Sequence, residues 1–529
     1  MKTVVSLLVL SVTLVTACQA SPPPSPVPTA TAAEADPFGA VRAHIEQLVA
    51  EGQVPSMAVA VARDGEIVWE EGFGLADRER ATPATEHTPY PLASISKPLT
   101  ATGLMILVER GLVDLDSPIN DYLGPVKLQA RVGDAAQATV RRVASHTAGL
   151  PLHSQHFYDH QPHRPPPLDE TIHRYGNLVT APGERYQYSN LGYGLLGYVI
   201  SRVSGQSYAD FMRQEVFAPL GMGHTSVHVG PGLEEGRAVK YTPAGALVPA
   251  YDSDSPGASA IYSSAHDLVR FAMFHLEDDV PGQRAILSHA AIDEMQRPSP
   301  ETGPTRAWER QGSGCALGWF LGVTEGGLRV MRHSGGTVGV SAVLALVPQE
   351  DLAVVVLSNT NSPWPDAILI EIVCPLLSRH PEEFLPPADR AADGPPFAPD
   401  PALVGSWEGL VHTYEGDVSL VLEIEGSGAV HVTLGERPGT CSLDGLATQL
   451  QSVSYQDTLP HFLSAGGGPF LRGWMRGELE TADVNRGRPY KLWLELKLRG
   501  DVLNGSLIAF SQRELYTGPL AHWVELRKR

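Results

Sequence analysis

The sequence predicts an α+β body, an antiparallel sheet flanked by helices, followed by a small all-β barrel. Two observations predict it. Strand-like runs stand at both ends of the body with helical patterns between them, and beyond a proline-rich break the pattern changes to short alternating strands. The body begins near Phe38, with Val41, Ile45 and Leu48 on one helical face. Met57 to Ala62 and Glu66 to Gly72 follow as strands, joined by the turn residues Arg63, Asp64 and Gly65. Near the end of the body, Leu344 to Val347 and Leu352 to Ser358 read as two more adjacent strands. Pro381, Pro386, Pro387, Pro395, Pro396 and Pro399 then mark a linker over 379–400. Within 401–529, Val418 to Ile424, Val430 to Leu434, Tyr490 to Leu496, Leu503 to Ser511 and Trp523 to Leu526 alternate as barrel strands. That module shows no catalytic pattern, so a role in stability or oligomerisation is expected of it. Gly466, Gly467 and Gly468 lack the lysine of a phosphate-binding loop and are expected to form a turn.

Length and composition set the outer bounds. A chain of 529 residues exceeds one ordinary core and suggests two domains with additions. A formal net charge of −20 argues against nucleic acid, or an anionic membrane surface held by charge, as a partner. Charged residues make up 19% and hydrophobic ones 43%, as in a globular body.

The N-terminus reads as a targeting segment. Met1 and Lys2 give a basic start, and the apolar run Val4 to Val15 is too short for a stable membrane span. Val15-Thr16-Ala17-Cys18 resembles the bacterial lipobox, which implies removal of 1–17 and lipidation of Cys18. A cleaved secretory signal with an incidental Cys18 is the alternative. The proline-rich stretch 18–37 reads as a tether, placing a lipid-anchored body outside the cytoplasm, on the bacterial cell envelope. Cys315, Cys374 and Cys441 then remain; they permit one bridge at most, and buried thiols are expected.

The chemistry begins at Ser94-Ile95-Ser96-Lys97, which heads the apolar run Pro98 to Val108. Residues three apart share a helical face, so the Ser94 hydroxyl and the Lys97 amine can meet. A serine becomes a useful nucleophile when a neighbouring base takes its proton, and a desolvated lysine can be that base. A serine that merely caps a helix is the simpler reading of this tetrad alone. Two further clusters decide against it: Tyr186-Gln187-Tyr188-Ser189-Asn190 before a glycine-studded apolar stretch, and His333-Ser334-Gly335-Gly336 before a strand-like run.

Together, in this chain order, the three clusters resemble the Ser-x-x-Lys, Tyr-x-Asn and Lys/His-x-Gly elements of penicillin-recognising serine enzymes. The likeness is nearest to the branch of class C β-lactamases, D-stereospecific peptidases and family VIII carboxylesterases. It covers 38–378, including the similar connecting segments Ala144 to Pro151, Phe217 to Met222 and Tyr262 to Leu268. The resemblance implies a mostly helical subdomain, here about Pro118 to Met295, beside the sheet, with the active site at the seam. The C-terminal module resembles the lipocalin-like appendages of some serine peptidases of this group.

The resemblance also implies roles. Ser94 would form an acyl-enzyme, Lys97 would share its proton, and Tyr188 would shuttle it as a phenolate held by Lys97. Which of the two takes the first proton stays open at this point. Asn190 would orient Lys97 and bind the substrate amide, beside His333, Ser334 and Gly335. The backbone N–H groups of Ser94 and Gly336 would form the oxyanion hole, with close backbone approach at the glycine. His333 departs from the lysine of class C enzymes, which shifts the expectation from an efficient β-lactamase to a peptidase or esterase.

Competing chemistries fare worse. There is no Gly-x-Ser-x-Gly elbow for an α/β-hydrolase. His153, His156, His160 and His163 fit no metal-binding helix and are expected on a solvated loop bordering the cleft. No cofactor or metal is expected. The expected partner is a small-molecule or peptide substrate, with cell-wall fragments among the candidates. The rival reading is a non-catalytic peptidoglycan-binding or signalling lipoprotein that kept the penicillin-binding fold.

Overall fold

A computed structural model describes residues 36–229, 233, 236–302, 314–324, 326–380, 397–435, 446–449, 451–458, 464–476, 479, 481–486, 490–511, 515 and 517–529. Cys18, Cys441 and most of the expected linker lie outside them. The centre of the body is an antiparallel sheet of eight strands that joins the two ends of its sequence. Ser56–Arg63 lies between Glu66–Asp77 and Leu352–Ser358, and then come Val340–Val347 and Arg329–Thr337. Along Ser56–Arg63 the side chains alternate, as a pleated strand requires. Met57, Val59 and Val61 face a core with the helices Gly39–Ala50 and Trp364–Leu377. Ala58, Ala60 and Ala62 face the main core, where small side chains admit the helices Ser96–Glu109 and Ala265–Leu276. Both faces are covered, so the strand is buried nearly throughout.

Local signals held where they were local. Val41, Ile45 and Leu48 are the buried face of the first helix. The Asp64-Gly65 turn has positive φ at both residues, 53° and 75°, which matches the right-handed twist of the flanking strands. The segment expected to be a separate helical part is mixed: short strands interrupt it, and Ala265–Leu276 packs against the sheet itself.

The C-terminal strands curl into a nearly closed antiparallel barrel. Gly405–Thr413 pairs with both Gly416–Ile424 and the last strand, Pro519–Lys528. Leu446–Gln449 and Gln451–Thr458 follow one another in the chain and pair with opposite neighbours, which brings the two sheet ends together. Gly466, Gly467 and Gly468 form no turn: they lie within the strand Ser464–Arg476. The reason is tertiary, since the first two residues of that strand pair with Tyr186 and Gln187 of the body.

Candidate active site

Ser94 sits in a single 3-10 turn, Ala93–Ile95, that runs directly into the helix Ser96–Glu109. Residues three apart eclipse in such a turn, which delivers Lys97 Nζ to 3.1 Å from Ser94 Oγ. Ser94 makes no capping bond, so the simpler reading of the tetrad fails. Ala93 is held at φ 46°, a left-handed conformation that a side chain resists and that surrounding packing must impose. The helix is buried nearly all round, and Lys97 is fully buried with it.

Ser189 caps the helix Asn190–Ser204 by accepting the Gly192 N–H, which fixes Tyr188 and Asn190 on either side of the cap. Tyr188 Oη lies 2.9 Å from Ser94 Oγ, and Asn190 Oδ1 accepts from Lys97 Nζ at 2.8 Å. A third oxygen, the Ala258 carbonyl, accepts from Nζ at 3.1 Å. The glycines of the Asn190–Ser204 helix explain how Ala258 comes so near. A Cβ at Gly194 would meet Ser255 at 2.9 Å, and one at Gly257 would meet the Tyr193 carbonyl at 2.4 Å. Only bare backbones can cross there.

Burial fixes the ionisation of these groups. Desolvation pushes the Lys97 amine well below its usual 10.5, and among the described residues no carboxylate bonds to it. Desolvation likewise raises the Tyr188 phenol above its usual 10.0. Burial thus disfavours both a lysinium and a phenolate in this pocket, because a low dielectric penalises each charge. Lys97 Nζ therefore faces three oxygens, those of Ser94, Asn190 and Ala258.

His333 lies on the strand Arg329–Thr337 and lines the cleft with Ser334, Gly335 and Gly336. Its Nδ1 is 2.8 Å from the Ser334 carbonyl, which can only accept, so Nδ1 carries the proton. Burial, and then the nearby Lys97, push the imidazole down to about 3. It is neutral at physiological pH. Close backbone approach falls one residue earlier than expected: a Cβ at Gly335 would meet the Leu92 carbonyl at 2.1 Å, whereas Gly336 is open to the cleft.

One residue escaped the sequence reading. His146, buried and at φ 60°, accepts the Gln187 N–H on its carbonyl at 2.7 Å and the Ser189 N–H on Nδ1 at 3.1 Å. It therefore clamps both neighbours of Tyr188, and its ring lies 4.5 Å from the Tyr188 ring. The similar segment Ala144 to Pro151 was the only signal for it. His146→Ala is expected to lower kcat by about ten- to a hundredfold with little change in KM, the mark of a positioning loss. His146→Asn should recover part of it, since asparagine tolerates positive φ and offers an acceptor oxygen. Steady-state kinetics on an ester checks both variants.

The four histidines divide. His160 and His163 are exposed, but His153 and His156 are buried, and His153 Nε2 is 2.9 Å from the buried Asp254 carboxylate. The C-terminal barrel covers this loop: Pro519 and Thr517 carbonyls accept the Ser154 and His156 N–H groups at 3.1 and 3.0 Å. Among the described residues, no group of three or more His, Cys, Asp or Glu side chains could hold a metal. The cleft, about 480 Å³, joins Ser94, Tyr188 and His333 to Phe510 and Pro519 of the barrel.

The beta-lactamase family profile matches residues 41–372, which hold every one of these site groups from the body. The chain belongs to the beta-lactamase family. This family groups β-lactamases, penicillin-binding proteins and hydrolases. The chain is 24% identical over 326 residues to protein flp of Staphylococcus aureus strain MRSA252, covering 60% of this chain and 62% of flp. It is 28% identical over 335 residues to the unguisins hydrolase ungD' of Aspergillus campestris, covering 60% of each. The match thus spans about three fifths of the length of these curated relatives. The solved structure of SurE with D-Leu shares the fold, with TM-score 0.59 at 24% identity over 93% of this chain and 99% of SurE.

Proposed function

We propose that this beta-lactamase family member is a serine hydrolase that acts through an acyl-enzyme on Ser94, on amides or esters that need no carboxylate. The observation that carries it is the double hydrogen bond to Ser94 Oγ, from Lys97 at 3.1 Å and Tyr188 at 2.9 Å, inside a buried pocket. Neutral Lys97 takes the Ser94 proton as Oγ attacks the carbonyl carbon. The developing oxyanion meets the backbone N–H groups of Ser94 and Gly336. Tyr188, a phenol, gives its proton to the leaving group, and the lysinium then restores the phenol. Water attacks the acyl-enzyme by the same steps in reverse. The intact group of Ser94, Lys97, Tyr188 and Asn190 disfavours a binding-only lipoprotein. Labelling with a fluorophosphonate, read by intact mass, tests the reading: wild type gains one adduct on Ser94, and a chain that gains none is not this enzyme.

The absence of a carboxylate requirement rests on His333. Its neutral imidazole offers no fixed charge, and no lysine or arginine is among the described residues lining the cleft. Acylation of wild type by a penicillin is therefore expected to be weak, with no limb from His333 between about pH 6 and 7, because an imidazole titrating at about 3 changes nothing there. His333→Lys should raise affinity for such carboxylates by about ten- to a hundredfold, the worth of a charge-assisted hydrogen bond. Penicillin acylation rates against pH in both proteins check this. The same shift bears on stability. The folded value lies below the unfolded one of 6.5, so the unfolded chain holds the extra proton between them, and this contribution is lost as pH falls from 6.5 towards 3.

We further propose that the protein is anchored outside the cytoplasm by lipid on Cys18. The lipobox-like Val15 to Cys18 and the proline-rich stretch after it support this. No helix among the described residues is long and apolar enough to cross a membrane. Expression with labelled palmitate should mark wild type and leave Cys18→Ser unmarked.

A further inference from the structure

The cleft has a wall that the catalytic body does not supply. Phe510 and Pro519, both of the barrel, line it together with Ser94 and Tyr188. Phe510 projects from the outer face of Val502–Ser511, since its neighbour Ala509 belongs to the core. Two more half-buried rings continue that face: Trp474 lies 5.3 Å from Phe510, and Trp493, its cross-strand partner, 4.8 Å from Trp474.

The wall is fixed in place. Ser464 and Ala465 extend the body's Tyr186-Gln187 strand, one residue before Tyr188. Glu495 of the barrel is buried between Arg185 of the body and Arg472, which bonds it at 2.8 Å. Gly518 takes φ 107° where any Cβ would meet the Ser154 carbonyl at 2.0 Å, so the last strand is pressed against the cleft loop. Among the described residues of the lining, the one ionic side chain, Asp366, is paired with Arg332.

We propose that the barrel supplies the apolar subsite of the hydrolase, in which Phe510, backed by Trp474 and Trp493, receives an extended hydrocarbon group on the acyl side of the substrate. This rests on the acyl-transfer reading above and names its substrate class: uncharged esters or amides with a long aliphatic or aromatic acyl substituent. Apolar contact is roughly proportional to the area removed from water, so each added methylene should increase the gain until the wall is filled.

The test uses the full-length protein with p-nitrophenyl acetate and p-nitrophenyl octanoate. Wild type should favour the octanoate in kcat/KM by about tenfold or more. Phe510→Ala should cut that preference about tenfold, Trp493→Ala less, and Phe510→Leu least, because leucine keeps an apolar surface. Leu410→Ala, on an exposed barrel position outside the cleft lining, should keep the wild-type ratio. Circular dichroism confirms folding, and if Phe510→Ala does not fold, Phe510→Leu and Trp493→Ala carry the comparison. A wild type without chain-length preference, or folded variants that keep the full preference, overturns the subsite while leaving the hydrolase intact. Turnover of neither ester above the Ser94→Ala background overturns the hydrolase reading, and the subsite falls with it.

Discussion

Ser94→Ala is expected to abolish acyl-enzyme formation and to lower turnover by about 10⁴-fold or more. The buried amine and phenol cannot replace the attacking oxygen, so what remains is substrate binding and oxyanion stabilisation. The fold should survive. Ser94 caps no helix, and the change removes the oxygen that Lys97 and Tyr188 share at 3.1 and 2.9 Å. Lys97 keeps Asn190 and Ala258 as acceptors, so the cost of the two lost hydrogen bonds is about 1–3 kcal/mol. Intact mass after fluorophosphonate treatment, ester turnover and thermal melting measure the three quantities. A folded Ser94→Ala protein with wild-type ester hydrolysis would falsify the assignment.

Lys97→Met and Tyr188→Phe are each expected to reduce kcat by roughly 10³-fold, and the double variant by little more than either. Both groups act on one oxygen and one proton, and members of such a unit lose their effects together. If the two losses multiplied, the shared-proton mechanism would have to be abandoned. The pH profile adds a signed expectation. Lys97 must be neutral to act as base, and burial carries its titration well below 10.5, so the rising limb of acylation should lie far below the ordinary lysine range. Tyr188 must be protonated, and burial raises it above 10.0, so no falling limb from this phenol should enter below that value. Acylation rates from pH 5 to 10 measure both limbs. A rate still rising steeply at pH 10 would show a Lys97 that burial has not neutralised.

Much of the site was legible because its signals are short in sequence. Ser94 and Lys97 lie one turn apart, and Tyr188 and Asn190 flank a single capping serine, so local geometry alone restricts where they point. His333 and Gly335 lie two apart on one strand, whose alternation puts both on the same buried face. The illegible part depends on contacts between distant segments. His146 matters only because the chain brings it to Gln187 and Ser189, and no local pattern marks a histidine that accepts a backbone N–H at φ 60°. The solvated-loop reading of His153 and His156 failed for the same reason: Asp254 and the last barrel strand bury them from elsewhere.

The sequence by itself determined the elements and the side chains that meet in the cleft. The period of Val41, Ile45 and Leu48 set the first helix, the Asp64-Gly65 turn set the first hairpin, and alternation after Pro401 set the barrel strands. Only the tertiary structure decided how far each group's titration is displaced and the shape of the cleft. A side chain's ionisation depends on how much water the whole fold removes from it, and Lys97, Tyr188 and His333 lose theirs to helices and strands drawn from across the body. The barrel's place followed the same rule. Nothing local in Ser464 and Ala465 foretells pairing with Tyr186 and Gln187, because strand pairing is settled by which edge lies open and which faces can be buried together.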